Sequence, residues 1–287
     1  MSTSDPADAS GPAGPAPALR RGLAVLSLLA ARPSPLSAAA IARELGLPRS
    51  TTYELLHELA AAGFAAHLGP QRRWGLGVAA FEIGSAYQRA DPLTRVGTPV
   101  LVRLARTTGG TAQLGVLHGA ETLYLAKEQP DRAGRTASPP TLVTDVGVRL
   151  PGQLTATGLS ILAGLPAEQV RALFPSADRF VMRTARGPAD PAALRARLAA
   201  VRRRGWADED CQVSPGTASV AAAVHDHSGR PLAAVGVTVR HRCPAPDDPV
   251  GCGTDLAGPA GLAAAVQEAA RSVTAAIGGR WPGTHAG

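Results

Sequence analysis

The sequence predicts an α+β protein in two parts, a small helical N-terminal domain and a larger domain of mixed helices and strands. Three observations carry this. Between residues 19 and 77 the pattern reads helix, helix, helix, hairpin. After Gly109-Gly110 β-type runs appear in two pairs, each around a tight polar turn. Between and after those pairs lie segments with the apolar spacing of helices. The length agrees, since 287 residues make one large domain or two ordinary ones.

Residues 1–17 are rich in Pro, Ala, Ser and Gly and read as a disordered tail. From Leu19 a helical period places Leu19, Leu23, Leu26 and Leu29 or Ala30 on one face, and Pro33 and Pro35 end that helix. Ser37 is the N-cap of a second helix, Ala38 to Leu45, which Gly46 stops. Leu47-Pro48 opens a third, with proline in its first turn, running to about Ala62 before Gly63. Strand-like runs Phe64–Leu68 and Arg73–Leu76 flank Gly69-Pro70-Gln71-Arg72, a hairpin turn. A helix from Val78 to Ala90 leads as a connector to Asp91-Pro92. Pro92 to Thr108 is helical again, broken or capped near Gly97–Pro99.

Beyond Gly110, Thr111–Leu117 and Thr122–Ala126 are strands about the turn His118-Gly119-Ala120-Glu121. Residues 129–140 read as loop plus an edge strand. Helices follow at Thr155–Leu165, Pro166–Phe174 and Pro191–Gly205. Val220–Val224 and Leu232–Val239 pair around Asp226-His227-Ser228-Gly229. A long loop, Arg240 to Gly258, precedes a last amphipathic helix to Ile277. No internal repeat is visible.

An apolar fraction of 45% excludes wholesale disorder, and 3% aromatics make the core aliphatic. The net charge of +7 is almost all arginine, Lys127 being the sole lysine. Codon bias in a GC-rich genome explains that excess, and so does a nucleic-acid-binding surface. The tail contributes −2, residues 18–97 carry nine Arg against five acids, and residues 98–287 carry twenty basic groups against fifteen acids. Charge is denser in the helical part, but the placement of a few arginines says more than the total. Cys211, Cys243 and Cys252 are too few for a disulfide scaffold. The opening residues lack the basic start of a secretory signal, and the apolar run Gly22–Ala31 is far short of the ~20 residues that span a bilayer. A soluble, cytoplasmic protein with no membrane partner is expected.

The segment Leu36 to Leu59 has helix-turn-helix grammar. Ala40, Ile41 and Leu45 face inward, Gly46 permits the turn, and Thr52, Leu55, Leu56 and Leu59 form the buried stripe of the second helix. The other face carries Arg49, Ser50, Tyr53 and His57, with Thr51 and Glu54 at its flank, near a helix N-terminus suited to the major groove. Arg49 can pair with phosphate or guanine, and Ser50 and Thr51 are short donors. Arg72 and Arg73 at the hairpin tip would reach the backbone or minor groove as a wing, and Arg20 and Arg21 would meet phosphates. A three-helix unit with a hairpin is equally a stable domain or a protein-contact module. His241, Cys243 and Cys252 lack the close pairing of a structural zinc site. There is no Gly-x-Ser-x-Gly elbow and no Walker loop. No metal, no cofactor and no enzyme activity are expected.

From Leu19 to about Gly278 the chain resembles the IclR family of bacterial transcriptional regulators. The resemblance lies in Arg20-Arg21-Gly22-Leu23-Ala24-Val25-Leu26, Leu36-Ser37, Ile41 to Thr51, and Arg73-Trp74-Gly75-Leu76-Gly77. It continues, in the family's order, in Gly147 to Pro151, Thr155-Ala156-Thr157-Gly158, Arg204-Gly205-Trp206-Ala207, and Pro215-Gly216. It implies a winged helix-turn-helix over 18–77, a linker helix used in dimerisation over 78–97, a GAF-like effector-binding and oligomerisation domain over 98–279, and a tail at 280–287. It further implies a homodimer or tetramer that reads a double-stranded operator as repressor or activator, gated by a small, anionic metabolite. Position by position, the implied effector contacts are Ala156, Thr157 and Gly158, then Glu209, Ser219, Gly236 and Thr238, with Pro139 and Leu142 as an apolar wall. Amides at the start of the Thr155–Leu165 helix would favour an anion.

The chain departs from the family in places. Glu54 stands where a basic residue is usual, Gln153-Leu154-Thr155 replaces a His-Cys-Thr run, Leu159 replaces a lysine, and Ser219 replaces a frequent cysteine. Two other readings therefore stay open, a ligand-independent regulator with a degenerate pocket and an enzyme built on the C-terminal domain.

Overall fold

The computed structural model describes residues 16–32, 34–130, 144–241 and 261–282. They divide between Ala90 and Asp91 into two units.

The first unit holds α1 (Pro17–Ala30), α2 (Ala38–Leu45), α3 (Arg49–Ala61), β1 (Ala65–Leu68), β2 (Arg73–Leu76) and α4 (Val78–Ala90). Local chemistry sets its boundaries. The Ser37 side chain accepts from the Ala40 amide, and Gly46 closes α2 at φ 62°. Pro48 stands one position earlier than expected, as the N-cap of α3. β1 and β2 pair antiparallel from Ala65↔Leu76 to Leu68↔Arg73. Leu36 and Trp74 exchange two backbone hydrogen bonds, tying the hairpin to the α1–α2 connection. The core is Val25, Leu29, Ala38, Ile41, Leu56, Ala65 and Trp74.

Two inward faces differ from expectation. In α1 the buried stripe is Gly22, Val25 and Leu29, while Leu19 and Leu23 are 64% and 54% exposed. In α2 the buried residues are Ala38, Ile41 and Ala42, with Ala40 and Leu45 only half-buried. The 3.6-residue period fits both choices in so alanine- and leucine-rich a stretch, and packing against Trp74 and α3 selects one.

The second unit holds α5 (Pro92–Thr108), β3 (Thr111–His118), β4 (Glu121–Glu128), β5 (Arg149–Pro151), α6 (Ala156–Gly164), α7 (Ala167–Leu173), α8 (Pro191–Arg204), β6 (Ala207–Asp210), β7 (Thr217–His225), β8 (Pro231–Arg240) and α9 (Leu262–Ala276). The strands form one antiparallel sheet in the order β5-β4-β3-β8-β7-β6. Alternation along the strands sends Ala112, Leu114, Val220, Ala222, Val235 and Val237 to the face covered by α5 and α9. The opposite face meets α6, behind which α7 and α8 pack through Leu162, Phe174, Leu194 and Leu198.

α5 runs unbroken through Gly97–Pro99, where the sequence suggested an interruption. Pro99 is exposed, so the Arg95 carbonyl it leaves without a donor can meet water. Gly97 serves packing instead, because a Cβ there would lie 2.9 Å from the Leu114 side chain. The 226–229 segment is the expected turn, with the Asp226 carboxylate accepting from the amides of Ser228 and Arg230. Pro139, Leu142, Cys243 and Cys252, and most of residues 129–140 and of the 240–258 loop, lie outside the described residues. Among the described residues no helix is long and apolar enough to cross a membrane.

Candidate nucleic-acid interface and effector cavity

In α3 the threonine hydroxyl of Thr52 donates to the Pro48 carbonyl, 3.0 Å, and Thr52 and Leu56 are fully buried. This inward pair fixes the rotation of the helix. Arg49, Ser50, Tyr53, Glu54 and His57 are consequently exposed, and Thr51 is half-buried at the flank. His57 is steadied by ring contacts to Tyr53 at 6.3 Å and to buried Trp74 at 5.8 Å. The helix enters through an extended proline, so its first-turn amides at Arg49 and Ser50 have no carbonyl four residues back to satisfy them. The exposed face thus combines a guanidinium, hydroxyls and a positive helix end, interrupted by the Glu54 carboxylate.

The two wing arginines are not equivalent. Arg72 sits at the tip in the left-handed region, φ 49°, exposed. The Arg73 guanidinium donates to the Pro35 carbonyl, 2.9 Å, so part of it is committed to bracing the hairpin. Arg20 and Arg21 are exposed in the first turns of α1.

The second site lies between α6 and the sheet, where a cavity of about 20 Å³ is lined by six residues named from the sequence: Ala156, Thr157, Glu209, Ser219, Gly236 and Thr238. Sheet register explains their meeting. Glu209 pairs with Ser219, and Ser219 with Thr238, so three polar side chains share one row across β6, β7 and β8. Ser219 Oγ donates to Glu209 Oε1 at 2.6 Å, which leaves Thr238 to donate to Ser219 Oγ at 2.9 Å. The Gln212 amide donates to Glu209 Oε2, 3.1 Å. Burial pushes the Glu209 carboxyl up to about 7, the hydrogen bonds from Ser219, Gln212 and Val213 opposing the rise and Asp210 adding to it. A buried carboxylate is therefore held at the border of ionisation.

Gly158 is buried but off this cavity. Its amide is capped by the Thr155 hydroxyl, 2.9 Å, and its Cα packs on Gly152 so tightly that a Cβ would lie 2.2 Å from the Gly152 carbonyl. The sequence reading missed Gln113, Tyr124, Thr144, Thr155, Val213 and Thr217 in the lining. Gln113 faces Gly236 across β3 and β8, and its amide group donates to the Thr144 hydroxyl. Burial drives the Tyr124 phenol above its ordinary range, against hydrogen bonds with Thr157 and Thr155, so it stays a protonated hydroxyl. For Gln113, Tyr124 and Thr217 the one signal is a polar side chain within an otherwise apolar strand, and Thr144, Thr155 and Val213, outside the strands, carry none.

A helix-turn-helix with a hairpin wing, carried on the same chain as an antiparallel α+β unit, defines a DNA-binding transcriptional regulator. The match to known proteins narrows the class. The IclR helix-turn-helix domain matches residues 18–69, and the bacterial transcriptional regulator IclR C-terminal domain matches residues 85–243. The chain belongs to the IclR family. It is 34% identical over 223 residues to the HTH-type transcriptional regulator BhcR of Paracoccus denitrificans, covering 77% of this chain and 76% of that protein. It is 29% identical over 236 residues to the transcriptional repressor IclR of Escherichia coli, covering 81% and 84%. Among solved structures, an IclR homologue from Microbacterium hydrocarbonoxydans complexed with 4-hydroxybenzoate superimposes with a TM-score of 0.70 at 22% identity, covering 91% of this chain and 98% of that one.

Proposed function

We propose that this regulator binds its operator as a homodimer through the outward face of α3 and is gated by a small organic anion bound between α6 and the sheet. The observation that carries the operator reading is the rotation of α3, which buries Thr52 and Leu56 and turns Arg49, Ser50, Tyr53 and His57 outward. Arg49 reads a base edge, Ser50 and Thr51 meet phosphate or bases, and Glu54 accepts from a cytosine amino group, a use for a carboxylate that phosphates would repel. Arg20, Arg21, Arg72 and the free part of Arg73 position the protein on the backbone.

Cavity size supports gating. About 20 Å³ has room for one water molecule. An organic acid of several heavy atoms overfills that space, so its binding favours a wider arrangement of the lining residues than the one described. The amides of Ala156 and Thr157 at the start of α6 favour an anion, and Ser219 and Thr238 supply hydroxyls beside it. The ordinary site of such a protein is the cytoplasm.

The test is a gel-shift series with the protein's own upstream DNA. Specific retardation at low salt is expected, with Arg49→Ala lowering specific binding about ten- to a hundredfold, a base contact being worth ~1–3 kcal/mol, and nonspecific binding much less. Absence of retardation by a well-folded protein overturns the operator reading. A thermal-shift screen of small organic acids tests gating, and no shift with any of them favours a ligand-independent regulator.

A further inference from the structure

A second cavity, sharing no lining residue with the first, lies between α7 and α8 and has a volume of about 130 Å³. Its floor is apolar: Val170, Phe174, Leu194 and Leu198, each buried. Its rim is cationic, formed by Arg171, Arg195 and Arg202. The only acid on either helix, Glu168, is not part of the lining. Arg202 Nε donates to the Ala163 carbonyl, 2.6 Å, which anchors that guanidinium at the edge. Among the described residues none of the three rim arginines has a carboxylate partner. Arg171 and Arg202 lie in the last turns of α7 and α8, where helix dipoles favour cations, but Arg195 stands mid-helix with no acid at one-turn spacing, unlike Arg271, which meets Glu268 on α9.

We infer that the α7–α8 cleft is a second ligand site, which takes a small aromatic carboxylate with its ring in the apolar cleft and its charge on the arginine rim. Volume, shape and charge support the assignment together. An apolar cavity of ~150 Å³ accommodates benzene, so this one is of the size for a single ring. Phe174, almost fully buried, makes a tilted ring contact with Phe180, centroids 5.2 Å apart, and closes the bottom of the cleft. Guanidinium groups match a carboxylate in planar, bidentate geometry, which short or uncharged molecules cannot exploit from the cleft. The site is independent of the α6 cavity, since it shares no lining residue with it.

Benzoate and its uncharged analogue benzamide, titrated calorimetrically into the full-length protein, test this. Benzoate is expected to bind at least tenfold more tightly than benzamide. R171E/R195E, two exposed positions whose change leaves the core intact, is expected to weaken benzoate at least tenfold with an unchanged melting temperature in its absence. Ala167→Phe fills the mouth of the cleft while keeping every arginine and is expected to abolish the same binding event. No benzoate binding, equal binding of the two molecules, or a benzoate isotherm that either variant leaves unchanged overturns the assignment, a second binding event at the α6 cavity being recognised because it alone changes in E209Q. Survival in the charge variant places the acid elsewhere, and survival in A167F alone places it on the arginines outside the cleft.

Discussion

Glu209 is where burial and charge conflict most directly. Its carboxyl, ordinarily near 4.5, is pushed to about 7 by burial. Between those values the folded chain holds a proton that the unfolded chain has already released. Stability therefore falls as pH rises from 4.5, and the loss is complete above 7. At 1.36 kcal/mol per unit the total is about 3 kcal/mol. Glu209→Gln should remove that slope while keeping acceptor oxygen for the Gln212 amide. Urea unfolding of both proteins at pH 5 and pH 8 checks it, and an equal fall in the variant would place the titrating group elsewhere. The proposed anionic effector would share the cavity with this carboxylate, so its affinity should weaken as pH rises through about 7, by at most tenfold per unit, and E209Q should flatten that dependence. Gly158 makes a second residue-scale prediction. An alanine Cβ would lie 2.2 Å from the Gly152 carbonyl and 2.6 Å from Thr122 Oγ1, both parts of a fixed backbone-and-hydroxyl cluster. Gly158→Ala should cost ~3 kcal/mol or more in unfolding experiments, although the residue touches no cavity.

Elements were legible in proportion to how locally they are specified. α2 is bounded by Ser37 and Gly46, β2 by its turn and Gly77, α4 by the Asp91-Pro92 pair, and each begins and ends where those residues indicate. Ser37→Ala should accordingly cost ~1 kcal/mol, seen first as faster amide exchange in α2. The hairpin is pinned more strongly, since a Cβ on Gly77 would lie 2.1 Å from the Gly63 carbonyl. β5 and β6 escaped the sequence reading because they are three and four residues long, β6 being polar as well. Ala207-Asp-Glu-Asp210 reads as an acidic surface segment, yet pairing with β7 turns Glu209 inward and makes it the most buried acid of the site. For the same reason Gln113 and Tyr124 were invisible as lining residues. Their place depends on which face of a six-stranded sheet α6 covers, a long-range fact that no local spacing encodes. The resemblance found six of the lining residues because it carries that long-range information with it.

At the scale of the whole molecule, the exposed apolar surface argues for a partner of identical sequence. α4 exposes Val78 and Phe81 at 67% and 74%, and Ile83 and Tyr87 at 60% each. At 100° per residue Val78 and Phe81 fall on the side that also carries Glu82 and Ser85, whereas Ile83 and Tyr87 fall on an opposite side made with Ala79, Ala80 and Ala86, an apolar face of the kind a helix normally buries. Leu19 and Leu23, expected inside, add to the exposed apolar area of α1. In the proposed homodimer, covering such surface with a second copy would present two α3 helices together, as a pseudo-palindromic operator would require. Phe81→Glu with Tyr87→Glu should therefore yield monomers in sedimentation without lowering the stability of either unit. The same variant should lose operator affinity, and the slope of log K against log salt should fall to about half, because each copy contributes half of the phosphate contacts. A variant that remains dimeric with an unchanged slope would place the association surface elsewhere in the chain. A variant that becomes monomeric but keeps full operator affinity would show that a single α3 with its wing suffices for recognition.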